Sequence, residues 1–468
     1  MQGACSGTLI FKSNTPMQAS RYLTLAAVDK WTCQHVRLDR CPQEWMTCLD
    51  QCRVSTPASL YLLRVLLLII KRGIVMQVEK NQILQALEKH FQEAIALSLD
   101  LSDHPELPYE EYESSKKIAG ILEEAGFQVT YPYAGYDTAF CGYLDNGDGP
   151  SAALLVEYDA LPGIGHGCGH NLHGALSVLA GLGLMELKDS FKGKLYVIGT
   201  PAEEENGAKI GMAQQGIFDG MALAAMMHST AGGLSIPDMD VLSLRCYVVD
   251  FHGKAAHAVG APWEGKSALA AGRKFLDLID ARRECFTPDV HVNSVILDGG
   301  KAPNIIPDFC RIRMEFRTDS MKKLEVMDEA IRKCADAAAM ALDCTVTLTP
   351  GLSDFFDMVR TAPLENTVAQ LLEKYGEKVG TIDLPSGSSD VGNVSYHCPS
   401  IQPLIAVTEE NLALHTTDFR NACRTDKAHQ AMLSGAAVLT ELFLKIYNEP
   451  DFCKKIAESW ETSLKRKK

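Results

Sequence analysis

At 468 residues the chain is longer than one hydrophobic core usually organises, so two domains are expected. Apolar residues make up 46% and charged residues 22%, the balance of an ordinary globular protein. A formal net charge of −14 argues against the basic face that neutralises nucleic-acid phosphates, and leaves small or cationic partners.

The first 75 residues stand apart. They hold nine Lys/Arg against four Asp/Glu, with Trp31, Trp45 and the cysteines Cys5, Cys33, Cys41, Cys48 and Cys52. Their apolar run "VLLLII" is too short to span a bilayer and lies too far along the chain for a secretory signal. Lys71-Arg72-Gly73 can be encoded by a purine-rich stretch resembling a bacterial ribosome-binding site, set just before Met76. The expectation is therefore a leader over 1–75 and a functional start at Met76, without membrane attachment; a membrane-tethered form follows only if the leader is retained. The fifteen cysteines lack disulfide-framework spacing, which points to a reducing, cytoplasmic compartment.

From Met76 onward, Ile83, Leu84, Leu87, Phe91, Ala94 and Ile95 recur at helical spacing and predict one amphipathic helix. A second helix, "YEEYESSKKIAGILEEAGFQV", should stop at Gly126. Three apolar runs follow, "SAALLVEYDA", "KLYVIGTPAEEE" and "ALAAMMHST", alternating with the helical stretches "GALSVLAGLGLMELK" and "KIGMAQQGIF". This alternation predicts an α/β fold, a mostly parallel sheet flanked by helices, with chemistry beyond the carboxyl ends of the strands, where Asp159, Glu203, Glu204 and His228 fall. From about Val241 the order becomes βαββαβ, through "CYVVDFHG" to "CTVTLTP", which marks an inserted α/β sandwich over 242–352. The chain then returns through "LENTVAQLLEKYG", "SIQPLIAVT" and the helix "DKAHQAMLSGAAVLTELFLKIYN", so 76–241 and 353–468 form one domain around the insert.

The stretch "GIGHGCGHNLHG" carries Cys168 and His170 among glycines. Thiolate and imidazole suit borderline-soft divalent metals, and glycines let the backbone fold tightly around an ion, but the segment alone reads equally well as a turn. The adjacent carboxylates of "TPAEEEN" repel one another, so they sit either on a solvated surface or beside a cation. His228 and His415 are each open to a structural reading. Together with Cys168, His170 and Glu204 they supply enough N, O and S donors for two ions, and one site is a simpler account than five coincidences.

"EYDALPGIGHGCGHN", "GTPAEEENGAKI", "FHGKAAHAVGAPWEG", "APNIIPD" and "GSSDVGNVS" together resemble the dimetal amidohydrolases of metallopeptidase family twenty. That family includes aminoacylases, glutamate carboxypeptidase and indole-acetyl-amino-acid hydrolases; the resemblance is strongest to the branch of p-aminobenzoyl-glutamate hydrolase and peptidase M-twenty domain-containing protein two. It covers nearly everything after Met76. It implies a zinc-peptidase-like catalytic domain and a ferredoxin-like lid, through which a homodimer forms. Cys168 then bridges two divalent ions, zinc or manganese, with His170 and His228 completing one site and Glu204 and His415 the other. Glu203 is the implied general base. In many members of the family a His-x-Asp motif supplies a first ligand where this chain has Glu157 to Asp159, and a bridging Asp stands at Cys168; this chain resembles instead the cysteine-ligand branch, in which His170 replaces the missing histidine. The resemblance further implies that His257 hydrogen-bonds the developing oxyanion from a partner subunit, and that Asn304 and Arg317 approach the substrate, Arg317 pairing with a free carboxylate. Asp390 is placed near the site without a role, and His166 and His173 behind it.

The resulting expectation is a metal-dependent amidohydrolase acting on small N-acyl amino acids or dipeptides. A dipeptidase or aminopeptidase that requires a free amine is the alternative within enzymes, and a scaffold of the same fold without turnover the alternative outside them.

Overall fold

The computed structural model describes residues 78–381, 385 and 387–467; the expected leader and the start at Met76 lie outside them. Two short helices open the fold, α1 (Lys80–Glu88) and α2 (Phe91–Asp103), where the apolar spacing predicted one. The His90 N–H closes the break by donating to the Leu87 carbonyl at 3.0 Å. Its ring nitrogens face Glu93 and Glu186 at 3.3 and 3.4 Å. The burial stripe nevertheless continues across it, through Ile83, Leu87, Phe91, Ala94 and Leu97. Helix α3 (Tyr112–Glu124) stops before Gly126, whose φ of +98° is costly for a side chain.

The main sheet contains β1 (Gln128–Thr130), β2 (Phe140–Asp145), β3 (Ser151–Val156), β4 (Lys194–Gly199), β5 (Leu223–Ala225) and β11 (Ser400–Ile401). Their order is β1-β2-β4-β3-β5-β11, with β4, β3, β5 and β11 parallel and the β1-β2 edge antiparallel. Two of the expected strands are each divided. After β5 the chain leaves the sheet and resumes as β6 (His228–Thr230), which pairs in parallel with β12 (Leu404–Ala406) as a separate ribbon. The interruption has a local cause: the Gln402 N–H donates to Asp238 Oδ1 at 3.0 Å, and Pro403 has no N–H to offer the ladder.

Helix α4 (His170–Glu186) is buried along nearly its whole length between the sheet and α1, α2 and α11 (Asp426–Asn448). An all-round apolar helix can be this enclosed only if its neighbours come close. Gly174 makes that approach possible, because a Cβ there would lie 2.1 Å from the Glu157 carbonyl oxygen at the end of β3. Helices α5 (Ala208–Gln214), α8 (Ala362–Tyr375), α9 (Val391–Ser395), α10 (Thr417–Ala422) and α12 (Pro450–Lys467) complete the surround.

The insert runs β7 (Ser243–His252), α6 (Ala268–Arg282), β8 (His291–Asp298), β9 (Phe309–Thr318), α7 (Met321–Ala341) and β10 (Thr345–Pro350). Its antiparallel sheet has the order β10-β7-β9-β8, the ferredoxin-like arrangement expected. Val249, Phe251, Phe275, Ile312, Phe316, Leu324 and Ile331 form a core within this segment. Edge strand β8 leaves Val295, Ile296 and Leu297 exposed. Among the described residues no helix is long and apolar enough to cross a membrane.

Because Gly174 seats α4 against β3, Gly174→Ala is expected to push the helix outward and cost about 1–3 kcal/mol, the range for overpacking a tight contact. A lowered thermal midpoint together with weakened metal binding would check this.

Candidate metal centre

Strand β3 delivers Glu157 and Asp159, both buried. The loop after β4 turns at Ala202, where φ is +63° and the N–H is held by Glu111 Oε1 at 2.9 Å. Two residues on, the Glu204 N–H donates to Asp159 Oδ2 at 3.0 Å, which brings Glu203 and Glu204 to the strand ends. Gly169, at φ +85°, turns the chain from Cys168 into α4; a Cβ there would sit 2.9 Å from that of Ser229. His415 is itself at φ +61°, with its N–H bonded to the Gly167 carbonyl at 2.9 Å. Such backbone strain in a histidine is uncommon and clusters at functional sites.

Hydrogen bonds decide which nitrogens are free. His170 Nδ1 lies 2.9 Å from Asp159 Oδ1, so Nε2 keeps its lone pair; that atom is buried and has no hydrogen-bond partner. His228 Nδ1 donates to the Ser229 carbonyl at 2.8 Å, leaving Nε2 3.5 Å from Cys168 Sγ. His173 is oriented the other way: its Nδ1 accepts the Ser229 N–H at 3.2 Å and Nε2 donates to Glu157 Oε2 at 3.0 Å, which leaves it no lone pair for an ion. A ring N–H anchored on a carboxylate or carbonyl is the usual support of a ligating histidine.

The donor atoms converge in overlapping groups, each within 4.8 Å: Glu157, His170, His173 and His228; Cys168, Glu204 and His415; His170, Glu203 and Glu204; Glu157, Glu203 and Asp390. Glu204 Oε1, 3.8 Å from His170 Nε2 and 3.5 Å from His415 Nε2, is likewise buried without a hydrogen bond. Two orphaned donors facing each other would be costly unless a cation lay between them, and the S, N and O set suits a borderline divalent ion. These residues therefore fit a metal.

Charge follows the same geometry. Burial, then the carboxylates of Glu157, Asp390 and Glu204, push Glu203 well above the usual carboxylate range. Burial also resists ionisation of Glu157, but the Lys209 ammonium, with His173 and His170, holds it well below that range. Burial lowers His228 to about 4, which keeps its imidazole neutral as a ligand requires. Burial raises the Cys168 thiol, so a bound cation is what makes it a thiolate.

The structure thus brings together Cys168, His170, Glu203, Glu204, His228 and His415. It does not bring His257, Asn304 or Arg317 into that cluster. His257 is exposed, its Nδ1 accepting the N–H groups of Val259 and Gly260 at 3.2 and 3.0 Å, so that Nε2 carries the hydrogen. Asn304 lies beside it, its carbonyl bonded to the Ala258 N–H. Arg317 already has a carboxylate, Glu315 at 3.2 Å, and reaches Ser388 Oγ at 3.4 Å. Sequence reasoning missed Lys209, which is wholly buried and 2.7 Å from both Glu157 and Asp390. A single lysine among the apolar residues of α5 was its only signal. His166 is buried with neither ring nitrogen bonded.

Thiol, imidazole and carboxylate donors at the ends of parallel strands, beside a carboxylate free to move a proton, define a metal-dependent hydrolase of amide or peptide bonds. Comparisons with known proteins agree. Residues 243–342 match the family model described as the peptidase dimerisation domain. The chain is 32% identical over 387 residues to the Xaa-Arg dipeptidase of Mus musculus, covering 79% of this chain and 89% of that protein. It is 25% identical over 450 residues to a p-aminobenzoyl-glutamate hydrolase polypeptide of Escherichia coli (strain K12), covering 77% and 90%. Among solved structures, the Bacillus subtilis YXEP protein, a dinuclear metal binding peptidase, aligns at a TM-score of 0.60 and 20% identity, over 76% of this chain and 99% of that one. The chain belongs to the M20 peptidase family.

Asp159 fixes both the tautomer of His170 and the Glu204 backbone. Asp159→Asn is expected to lower metal affinity about 10–100-fold, the usual effect of losing such a support, and metal titration of the chelator-stripped protein would measure it.

Proposed function

We propose that the centre holds two divalent cations, zinc or manganese, and hydrolyses the amide of a dipeptide or N-acyl amino acid. The facing pair of buried, unbonded donors, His170 Nε2 and Glu204 Oε1, carries this reading. Cys168, His170 and His228 would hold one ion, and Glu204 and His415, together with Cys168, the other. Cations bound there supply the Lewis acidity that makes an amide carbonyl electrophilic and a water acidic. Glu203 accepts the proton of the attacking water and passes it to the departing amine, a task suited to a carboxylate whose proton affinity is raised by its surroundings. Among the described residues Glu203 has no side-chain hydrogen bond, its Oε2 standing 3.9 Å from His170 Nε2, which leaves it free to move between the two positions.

Within this class, dipeptides with a basic C-terminal residue are the first substrates to try, given the mouse relative's name. Asn304 in the lid, and Arg317 once it has exchanged Glu315 for the substrate, would then hold the free carboxylate. The dividing lines at 242 and 352 are supported by the separate core of the insert and by β7 and β10 lying just inside them. A homodimer through the lid is supported by the dimerisation-domain match and the exposed apolar residues of β8. His257, with its Nε2–H turned outward, serves the oxyanion of the partner's site. All ten cysteines among the described residues are free thiols, which supports a reducing, cytoplasmic location.

Amine release from a panel of basic dipeptides and N-acyl amino acids, with and without zinc or manganese, is the direct test. Metal-dependent release is expected, and Glu203→Gln should reduce kcat at least about 100-fold, as for loss of a general base. No release from either class by metal-loaded protein would refute the reading. Mixing separately inactive His257→Ala and Glu203→Gln chains is expected to restore activity that neither has alone, since a mixed dimer contains one intact combination. Failure to complement in demonstrated mixed dimers would show that His257 does not act across the interface.

A further inference from the structure

The Glu157 carboxylate lies in one donor group with His170 and His228. Whether it acts as a ligand depends on what already occupies its oxygens. Oε1 receives the Lys209 ammonium at 2.7 Å, and Oε2 receives His173 Nε2–H at 3.0 Å. His173 cannot turn away, because its other nitrogen is fixed by the Ser229 N–H. Lys209 is equally constrained: it is wholly buried, and its ammonium also bonds Asp390 Oδ1 at 2.7 Å. The remaining Asp390 oxygen, buried and likewise without a hydrogen bond, is turned against Gly207, where an added Cβ would approach it to 2.4 Å. What sets Glu203 and Glu204 apart is that neither is bonded to the Lys209 ammonium, and Glu204 Oε1 has no hydrogen bond.

Four buried or nearly buried carboxylates are thus divided into two that are engaged and two that are available. We infer that Lys209 is a positioning residue, a fixed cation that withholds Glu157 and Asp390 from the metals, so that Glu204 alone provides carboxylate ligation and Glu203 remains unligated. The inference rests on the metal-centre reading above. It makes Glu157 a support rather than a ligand. Chemically, an ammonium with three donors suits this task, because it can bind two carboxylates at once without leaving the open coordination positions that would draw in water or substrate.

The test is zinc content per chain, by elemental analysis after stripping with chelator and dialysis against zinc, alongside kcat and KM. Glu157→Gln is expected to hold as much zinc as the wild type, whereas Glu204→Gln holds less. Lys209→Met is expected to take up additional zinc, since the oxygens of Glu157, Glu203 and Asp390 then lie within 4.8 Å without their ammonium. Its kcat should fall about 10–100-fold with KM little changed, and Lys209→Arg should keep the wild-type zinc content. Where Glu157→Gln does not fold, the charge-balanced pair Lys209→Met/Glu157→Gln replaces it, again with wild-type zinc content expected. Equal loss of zinc from Glu157→Gln and Glu204→Gln, or unchanged zinc content in folded Lys209→Met, overturns the inference while leaving the metal centre standing. A wild type that retains no zinc or manganese overturns both.

Discussion

The structure depends on placing positive charge among carboxylates that the strand ends crowd together. Glu157, Asp159, Glu203, Glu204 and Asp390 converge from β3, the loop after β4 and the start of α9. Two like charges 4 Å apart repel by about 4 kcal/mol even at an effective dielectric constant near 20. Several such pairs would exceed the net stability of most domains. The fold answers in three ways: Lys209 neutralises one pair, the His170 Nδ1–H is held against Asp159 Oδ1, and burial with the neighbouring carboxylates raises the proton affinity of Glu203. What is left is a concentrated demand for divalent cations on the side lined by Cys168, Glu204 and His415.

That demand also explains why the surrounding backbone is strained where it is. Ala202 and His415 both have positive φ, and each sits where a ligand-bearing loop must reverse within a few residues. Unfavourable local conformations of this kind persist only when neighbouring contacts over-determine them. Glu111 holds the Ala202 N–H, Gly167 holds that of His415, and α4 is pinned against β3 by Gly174. The buried, close-packed sheet therefore acts as the reference frame against which the loops are bent, and the cost of the bends is met by hydrogen bonds that also orient the donors.

The sequence made much of this legible, for reasons that differ from residue to residue. Short apolar runs with polar ends identify parallel strands and their functional edge without any tertiary information, and the βαββαβ order marks the insert. Cys168 and His170 could be recognised because glycines surround them, and Glu203 and Glu204 because adjacent carboxylates after a strand are electrostatically unusual. Pro403 offered a visible warning that the strand "SIQPLIAVT" would break; the Asp238 carboxylate that captures the Gln402 N–H, 164 positions away in sequence, did not. The division of the first helix was hidden because the apolar stripe continues unbroken through Lys89 and His90.

Lys209 was illegible for a more general reason, and His173, though placed behind the site, had no partner that the sequence could name. Neither residue differs from a surface lysine or a structural histidine until its partners are known, and those partners arrive from β3, α9 and β6. Ligands tend to announce themselves in local sequence because an ion requires several donors close together, and short loops supply them economically. Supporting residues face no such constraint: a charge can be balanced by any opposite charge that the fold carries to it. In this protein the local motif therefore specifies what can bind, while the long-range contacts of Lys209 and His173 specify which of the eligible side chains are left free to do so.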